Sequence, residues 1–308
     1  MIVSQRIALL FGVFAIASAC KSKEEAARVE AAALKAREQQ LNARLAKADS
    51  DPSKDPAVAM WIMPTVLKEI SGLALTADGR LLAHDDEIAK VYEIDARRGT
   101  IIKSFLLGKG VHGDFEAITV ADSDWYLLES KGVLFKFRDA PNGYSAPYTK
   151  IDLRLGKECE FEGMVYQKDS AWLVLPCKTI HTKSLRDNVL LYRWRIGSTG
   201  PDGMSMLTVP LSEAIGSNKW KNFRPSDITI DPATGDYVLI SSLDHGLVVM
   251  NPDGTVIRSM PLPGKHHQAE GVAITKDSIL IISDEATTKP AAITLYRWHR
   301  TAAEGTTQ

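Results

Sequence analysis

The sequence predicts an all-β domain, a five-bladed β-propeller standing behind an N-terminal helix. Three observations predict it. An Ala-rich stretch without Gly or Pro ends at a double-proline segment; beyond it, short apolar runs alternate with turn residues; and one tetrad recurs five times at strand starts.

At the N-terminus, Arg6 precedes an apolar run over residues 7–19 that is too short to span a bilayer as a helix. Residues 1–19 therefore read as a signal peptide. The run closes in Ala17, Ser18, Ala19 and Cys20, small residues followed by a cysteine, which resembles the lipobox of bacterial lipoproteins. The resemblance implies that Cys20 becomes the lipid-modified first residue of the mature chain, with Ala17 standing where that pattern usually has Leu. Ordinary secretion after the Ala-x-Ala-like site, leaving Cys20 a free thiol, is the alternative. Lys21 and Ser22 follow in place of the Asp that retains many such lipoproteins at the inner membrane. The lipoprotein reading thus places the protein in the bacterial cell envelope, anchored by its lipid at the outer membrane and facing the periplasm.

Residues 20–50 form a helical stalk, because Ala, Glu, Lys, Arg and Gln are strong helix formers. Leu34, Leu41 and Leu45 give one short apolar seam that Ala27 and Ala31 extend. The seam allows a second reading, a short coiled coil with a partner. Pro52 and Pro56 end the helix, since proline removes a backbone donor and restricts the residue before it. Residues 51–59 are the linker, 60–300 the propeller and 301–308 a disordered tail.

The tetrads are Ile70-Ser71-Gly72-Leu73, Phe115-Glu116-Ala117-Ile118, Phe161-Glu162-Gly163-Met164, Pro225-Ser226-Asp227-Ile228 and Ala269-Glu270-Gly271-Val272. Their second residues are spaced by 45, 46, 64 and 44. Two further apolar runs follow each tetrad, for example Trp125 to Leu128 and Leu134 to Phe137 after the second. A period near 45 with four short strands per unit suits a propeller blade, whose sheet buries its faces only by stacking on neighbours. The fifth unit offers three strands, so residues 60–67 are expected to supply its outer strand and close the ring. The step of 64 leaves six blades as an alternative, although its extra residues read as a turn at Gly200 to Gly203 and a short helix around Ser212 to Ser217.

The acidic-Gly-apolar tetrads, with Glu162-Gly163-Met164 followed by Pro176-Cys177-Lys178 and Glu270-Gly271-Val272 followed by Ser283-Asp284-Glu285, resemble the SdiA-regulated (YjiK-like) family of bacterial propeller proteins. The likeness covers about residues 68–300. It implies a five-bladed propeller, often behind an export signal, with a bound calcium and no settled biochemical activity. A more distant similarity is to the esterase-like phytase and lactonase-type propellers, which use calcium in a central channel.

Inner strands line a propeller's axis, so the second tetrad position forms a ring of Ser71, Glu116, Glu162, Ser226 and Glu270. Three converging carboxylates must be protonated, paired or metal-bound. All-oxygen ligands suit a hard cation, and Ca²⁺ tolerates an irregular ring better than Mg²⁺. The competing reading pairs the ring with Lys109, Lys157 and Lys265, each just ahead of a ring Glu. A second ring, Asp85, Glu129 and Asp284 at the ends of the second strands, offers further ligands or, equally, turn formers. His112, His266 and His267 join the lysines on this channel mouth, as acid–base groups, as contacts for an anionic ester, or as a solvated rim.

With Cys20 lipidated, Cys159 and Cys177 remain and fall almost opposite each other across a hairpin turning near Lys168 to Ser170, so a disulfide is expected. Two soft zinc ligands are the alternative. Lys and Arg number 37 against 38 Asp and Glu, which leaves no overall positive field for a nucleic acid. None of the zinc-helix, nucleophile-elbow, P-loop or dinucleotide signatures occurs. Two functions follow from different classes. One is a lipid-anchored binding module with a mainly structural calcium and a protein, peptide or glycan partner in the envelope. The other is a calcium-dependent hydrolase of phosphate esters or lactones.

Overall fold

The computed structural model describes residues 5–50 and 57–300, with side chains from residue 24 onward. The signal peptide at 1–19, lipidation of Cys20, most of the 51–59 linker and the tail at 301–308 fall outside the residues described in that detail. The chain divides after Lys47 into two units. The first holds all but the last turn of the helix that runs Gln5–Ser50. No described helix is long and apolar enough to cross a membrane.

The second unit contains five sheets, antiparallel throughout their four main strands. Blade 1 is Ile70–Leu75, Leu81–Asp85, Lys90–Asp95 and Thr100–Leu107, and blade 2 is Phe115–Ala121, Asp124–Glu129, Val133–Phe137 and Tyr148–Asp152. Blade 3 has an inner strand broken into Cys159–Phe161 and Val165–Gln167, then Trp172–Ile180, Asn188–Arg195 and Met204–Pro210. Blade 4 is Asp227–Ile230, Tyr237–Ser241, Gly246–Met250 and Val256–Pro261. Blade 5 takes Ala269–Ile274, Ile279–Asp284 and Ala292–Arg297 from the C-terminal end and Ala59–Ile62 from the start of the domain. The inner strands touch in cyclic order, so the ring is closed. Five blades stand, and the long step holds the turn and a helix at Leu211–Ile215 rather than a sixth sheet.

Closure differs from expectation in its bounds. The clasping strand begins at Ala59, inside the expected linker, and ends at Ile62, because its ladder stops at Ala292, the first residue of its partner strand. Thr65–Leu67 is a 3₁₀ turn instead. Blade 1 also has a device the sequence did not reveal: Ser145–Ala146, from the loop ahead of the last strand of blade 2, pairs in parallel with Thr100–Leu107 and covers that open edge.

Cohesion comes from between the blades. Among the described residues, four apolar clusters each draw on two neighbouring blades, as when Phe105 of blade 1 meets Trp125 of blade 2 at 6.1 Å between ring centres. Trp125, Trp194 and Trp298 are buried in these seams. At two tetrad glycines the neighbouring inner strand leaves no room for a side chain. A Cβ on Gly163 would lie 2.8 Å from the Asp227 Cα, and one on Gly271 would lie 2.8 Å from the Ser71 carbonyl oxygen. The tetrad glycines are therefore a packing requirement of neighbouring inner strands.

Cys159 and Cys177 are joined in a disulfide with the Cα atoms 5.7 Å apart. The two are not direct ladder partners: Cys159 faces Ile180 and Cys177 faces Phe161, across a register shift between Glu160 and Phe161. That irregularity lies between the two cysteines' ladder positions, so a diagonal pair reaches bonding distance. The bridge closes a separation of 18 residues. Replacing both cysteines by serine is expected to lower unfolding stability by about 3 kcal/mol, read as a drop in the urea midpoint; an unchanged midpoint would show that the bridge constrains nothing.

Candidate functional site

The inner strands begin on one face of the ring, and there the carboxylates gather. Glu116 and Glu270 sit within the inner strands of blades 2 and 5, and Glu162 follows the first half of that of blade 3. Burial raises all three, and repulsion from neighbouring acids adds to it. Glu116 is pushed up to about 9 by burial and then by Glu162 and Asp114. Glu270 reaches about 7 through burial and Glu162. Glu162 rises only to about 6, because burial is opposed by the Lys178 ammonium.

Lys178 is the cation at this ring. It lies in the second strand of blade 3 and donates a hydrogen bond to Glu162 Oε1, while Glu162, Glu270 and Glu116 together hold its ammonium above its ordinary range against burial. Lys109, Lys157 and Lys265 are instead exposed, as is His112. Their approach loops leave long, solvated side chains in water, where an ammonium costs least. The other oxygen of the Glu162 carboxylate, Oε2, is buried with no hydrogen-bond partner among the described residues.

The two serines of the expected ring are structural. Ser226 Oγ donates to the Ala269 carbonyl at 2.7 Å, and the Ser71 carbonyl accepts from Ser283 Oγ at 3.2 Å, tying blades 4, 5 and 1 together. One position further along, Asp227 is fully buried and accepts from the Val272 N–H at 2.7 Å as well as from Leu73 and Ile228. Burial pushes its carboxyl well above the usual range. Asp227 thus ties three blades to one another beside the glutamates.

The second expected ring does not assemble. Asp284 is spent on its own loop: Oδ1 accepts from the N–H groups of His267 and Gln268 at 2.9 and 3.1 Å, and Oδ2 meets His266 Nδ1 at 2.6 Å. Burial opposes its ionisation, but the His266 contact prevails and keeps it below the usual carboxylate range. The far side of the His266 ring, Nε2, lies 3.0 Å from the Tyr296 hydroxyl. Asp85 caps the turn at Glu87 and Ile88, and Glu129 faces Lys150 and Lys131.

A group absent from the sequence reading lies beside the first. Carboxylate oxygens of Glu69, Asp86 and Glu285 all lie within 4.8 Å of one another, the one such trio among the described residues. Glu285 is raised to about 8 by burial and by its hydrogen bond with Glu69, and Asp86 to about 6 by burial and neighbouring acids. Asp86 Oδ1 is buried without a partner among the described residues. Gln268 links the two groups, donating to Glu285 and hydrogen-bonding Glu270. The result is one acidic band from Glu162 to Asp86, tempered by Lys178 at one end and Lys68, paired with Glu69, at the other. At the opposite ends of the inner strands a cavity of about 1230 Å³ opens, walled by residues such as Leu75, Val120, Val165 and Ile230, away from the carboxylates.

The sequence model of the SdiA-regulated family matches residues 219–303, the stretch that contains blades 4 and 5. Among curated proteins none matches the sequence. Among solved structures, Myxococcus xanthus glutaminyl cyclase is similar at 14% identity and a TM-score of 0.53, over 78% of this chain and 95% of that one. A PQQ-bound aldose sugar dehydrogenase from Streptomyces coelicolor is similar at 14% identity and a TM-score of 0.48, over 79% and 99%. Likeness at such identity speaks for fold and not for activity. On a closed five-bladed propeller, then, this chain carries the sequence signature of the SdiA-regulated family through its last two blades.

Proposed function

We propose that the protein is a lipid-anchored binding module of the bacterial envelope whose acidic mouth holds a hard divalent cation, with Ca²⁺ the best fit. The observation that carries this reading is the buried, unpartnered Glu162 Oε2 beside Glu116 and Glu270, carboxylates that a single lysine balances only in part. The donor set contains oxygen alone, which fits Ca²⁺ and disfavours softer metals. Glu116, Glu162 and Glu270 would have to draw closer to hold the ion, since among the described residues Glu69, Asp86 and Glu285 are the trio whose oxygens already lie within 4.8 Å of one another, and Gln268 ties Glu270 to Glu285. Bound there, the ion supplies positive charge that permits all three carboxylates to ionise together. The anchor would be Cys20, at the outer membrane facing the periplasm, and the partner a protein, peptide or glycan of the envelope.

A hydrolase of phosphate esters or lactones is the second reading. One observation favours it: burial raises both Glu116 and Glu162, but the Lys178 ammonium opposes the rise more strongly at Glu162, so the two carboxyls meet the unlike surroundings that an acid and base pair requires. Elemental analysis of the purified full-length protein, with melts before and after chelation, tests the cation. About one calcium per chain is expected, together with a fall in Tm on its removal. No metal, and a melt indifferent to chelator, would leave Lys178 as the sole counter-ion and sink both calcium readings.

A further inference from the structure

We propose that a pocket between blades 3 and 4 is a subsite for an oxyanion, a carboxylate or phosphate group, on a small ligand of this protein. The proposal rests on the binding-module reading but not on the cation. A cavity of about 290 Å³ opens where the second strand of blade 3 meets the loop before blade 4. Lys178, Arg186, Arg224, Asn188 and Asn222 line it, and its wall contains no carboxylate. On a face otherwise crowded with acids, this is a local inversion of charge.

The cationic heads are held in place by bonds that leave donors over. Arg224 grips Asp244 through Nε at 3.3 Å and Nη2 at 3.0 Å, and Asp244 is itself fixed by Ser241 Oγ at 2.9 Å. Arg186 donates Nε to the Ile180 carbonyl at 3.2 Å and Nη2 to that of His181 at 3.4 Å. Nη1 of each guanidinium makes no such bond among the described residues and remains a donor. Asn222 accepts from the Phe223 N–H at 2.8 Å through Oδ1, which leaves its NH₂ as a donor. Lys178 gives one hydrogen bond to Glu162, and an ammonium has three. Planar guanidinium forks and amides oriented in advance are what oxyanion recognition needs, since little ordering remains to be done on binding. Phe223 and Ile180 back the pocket with apolar surface, which strengthens each charged contact.

Lys178 belongs to both places. It lines the cavity and bonds the ring, so a ligand whose oxyanion sits in the pocket has its neighbouring atoms beside Glu162.

The test is calorimetric titration of the full-length protein with inorganic phosphate and, separately, succinate, each in chelator and in calcium. Saturable binding of at least one anion is expected, weakened about tenfold by Arg186→Gln. The exposed Arg138→Gln, at the rim of blade 2, should leave it unchanged. Binding of phosphate alone assigns a phosphoryl ligand and binding of succinate alone a carboxylate, and either sustains the subsite. No saturable binding of either anion, or binding that Arg186→Gln leaves intact, overturns it. Binding that needs calcium and ignores Arg186→Gln would place the anion on the ion, ending this proposal while sparing the cation. Binding in chelator that Arg186→Gln weakens sustains the pocket even where no metal is found.

Discussion

Adding one methyl group at Gly163 is expected to cost the fold at least about 3 kcal/mol, because backbone strain and overpacking act together. Gly163 has a φ of +104°, a region that side chains rarely adopt, and its new Cβ would stand 2.8 Å from the Asp227 Cα and 3.0 Å from the Ile228 nitrogen. These are backbone atoms of the next inner strand, so no flexible side chain can yield. Gly235 provides the comparison: its φ is +80°, but nothing lies within 4 Å of a Cβ there. Gly235→Ala should cost only about 1 kcal/mol, from strain alone. Urea midpoints of the two variants separate the contributions, and equal losses would refute the close approach of blades 3 and 4.

Stability in chelator is expected to fall as pH rises from 6 to 9, a slope opposite to that of most folded proteins. Glu116, Glu270 and Glu285 have folded-state values of about 9, 7 and 8, all above the ordinary 4.5 of an exposed glutamate. A group raised on folding contributes its full stability below its unfolded value and loses it as pH climbs through its folded value. Their window therefore runs from about 4.5 to about 9. Each such group loses up to about 1.4 kcal/mol per pH unit inside it, so a Tm drop of about 5 °C or more is expected between pH 6 and 9. Glu116→Gln should flatten the alkaline end of the curve, since an amide needs no proton there. Calcium should restore the wild type at pH 9 and the variant much less. A melt that is flat from pH 6 to 9 in chelator would mean that these carboxylates are not buried together.

The blades were legible because the feature that repeats is the one under steric constraint. Gly163 and Gly271 lie where adjacent inner strands nearly touch, and the tetrads recur with that contact. The disulfide was legible from spacing, although only the register shift at Glu160 explains why a diagonal pair bonds. What stayed hidden depends on contacts across seams. Glu69 and Glu285 are 216 positions apart and meet only because blades 1 and 5 are neighbours. One signal could have exposed them: an acid follows the strand-end acid in both blades, as Asp85-Asp86 and Asp284-Glu285. Lys178 is not legible as the counter-ion because the sequence offers lysines directly ahead of the glutamates, whereas this one stands on the adjoining strand of the same blade. Asp227 was missed because it occupies the glycine position of its tetrad, where an acid gives no hint that backbone donors await it.

The clasp of Ala59–Ile62 on Ala292–Arg297 also governs the order of events in folding. Its four pairs join residues at least 230 positions apart, so this blade has by far the highest contact order in the ring. Closing so large a loop costs entropy before any pair forms. A nascent chain therefore has no way to complete blade 5 until its last strand has been made. Until then the ring remains an open arc with one raw sheet edge. Once shut, it unravels only by losing both ends of the domain together, which makes the clasp the natural gate for unfolding and for attack by proteases at the termini.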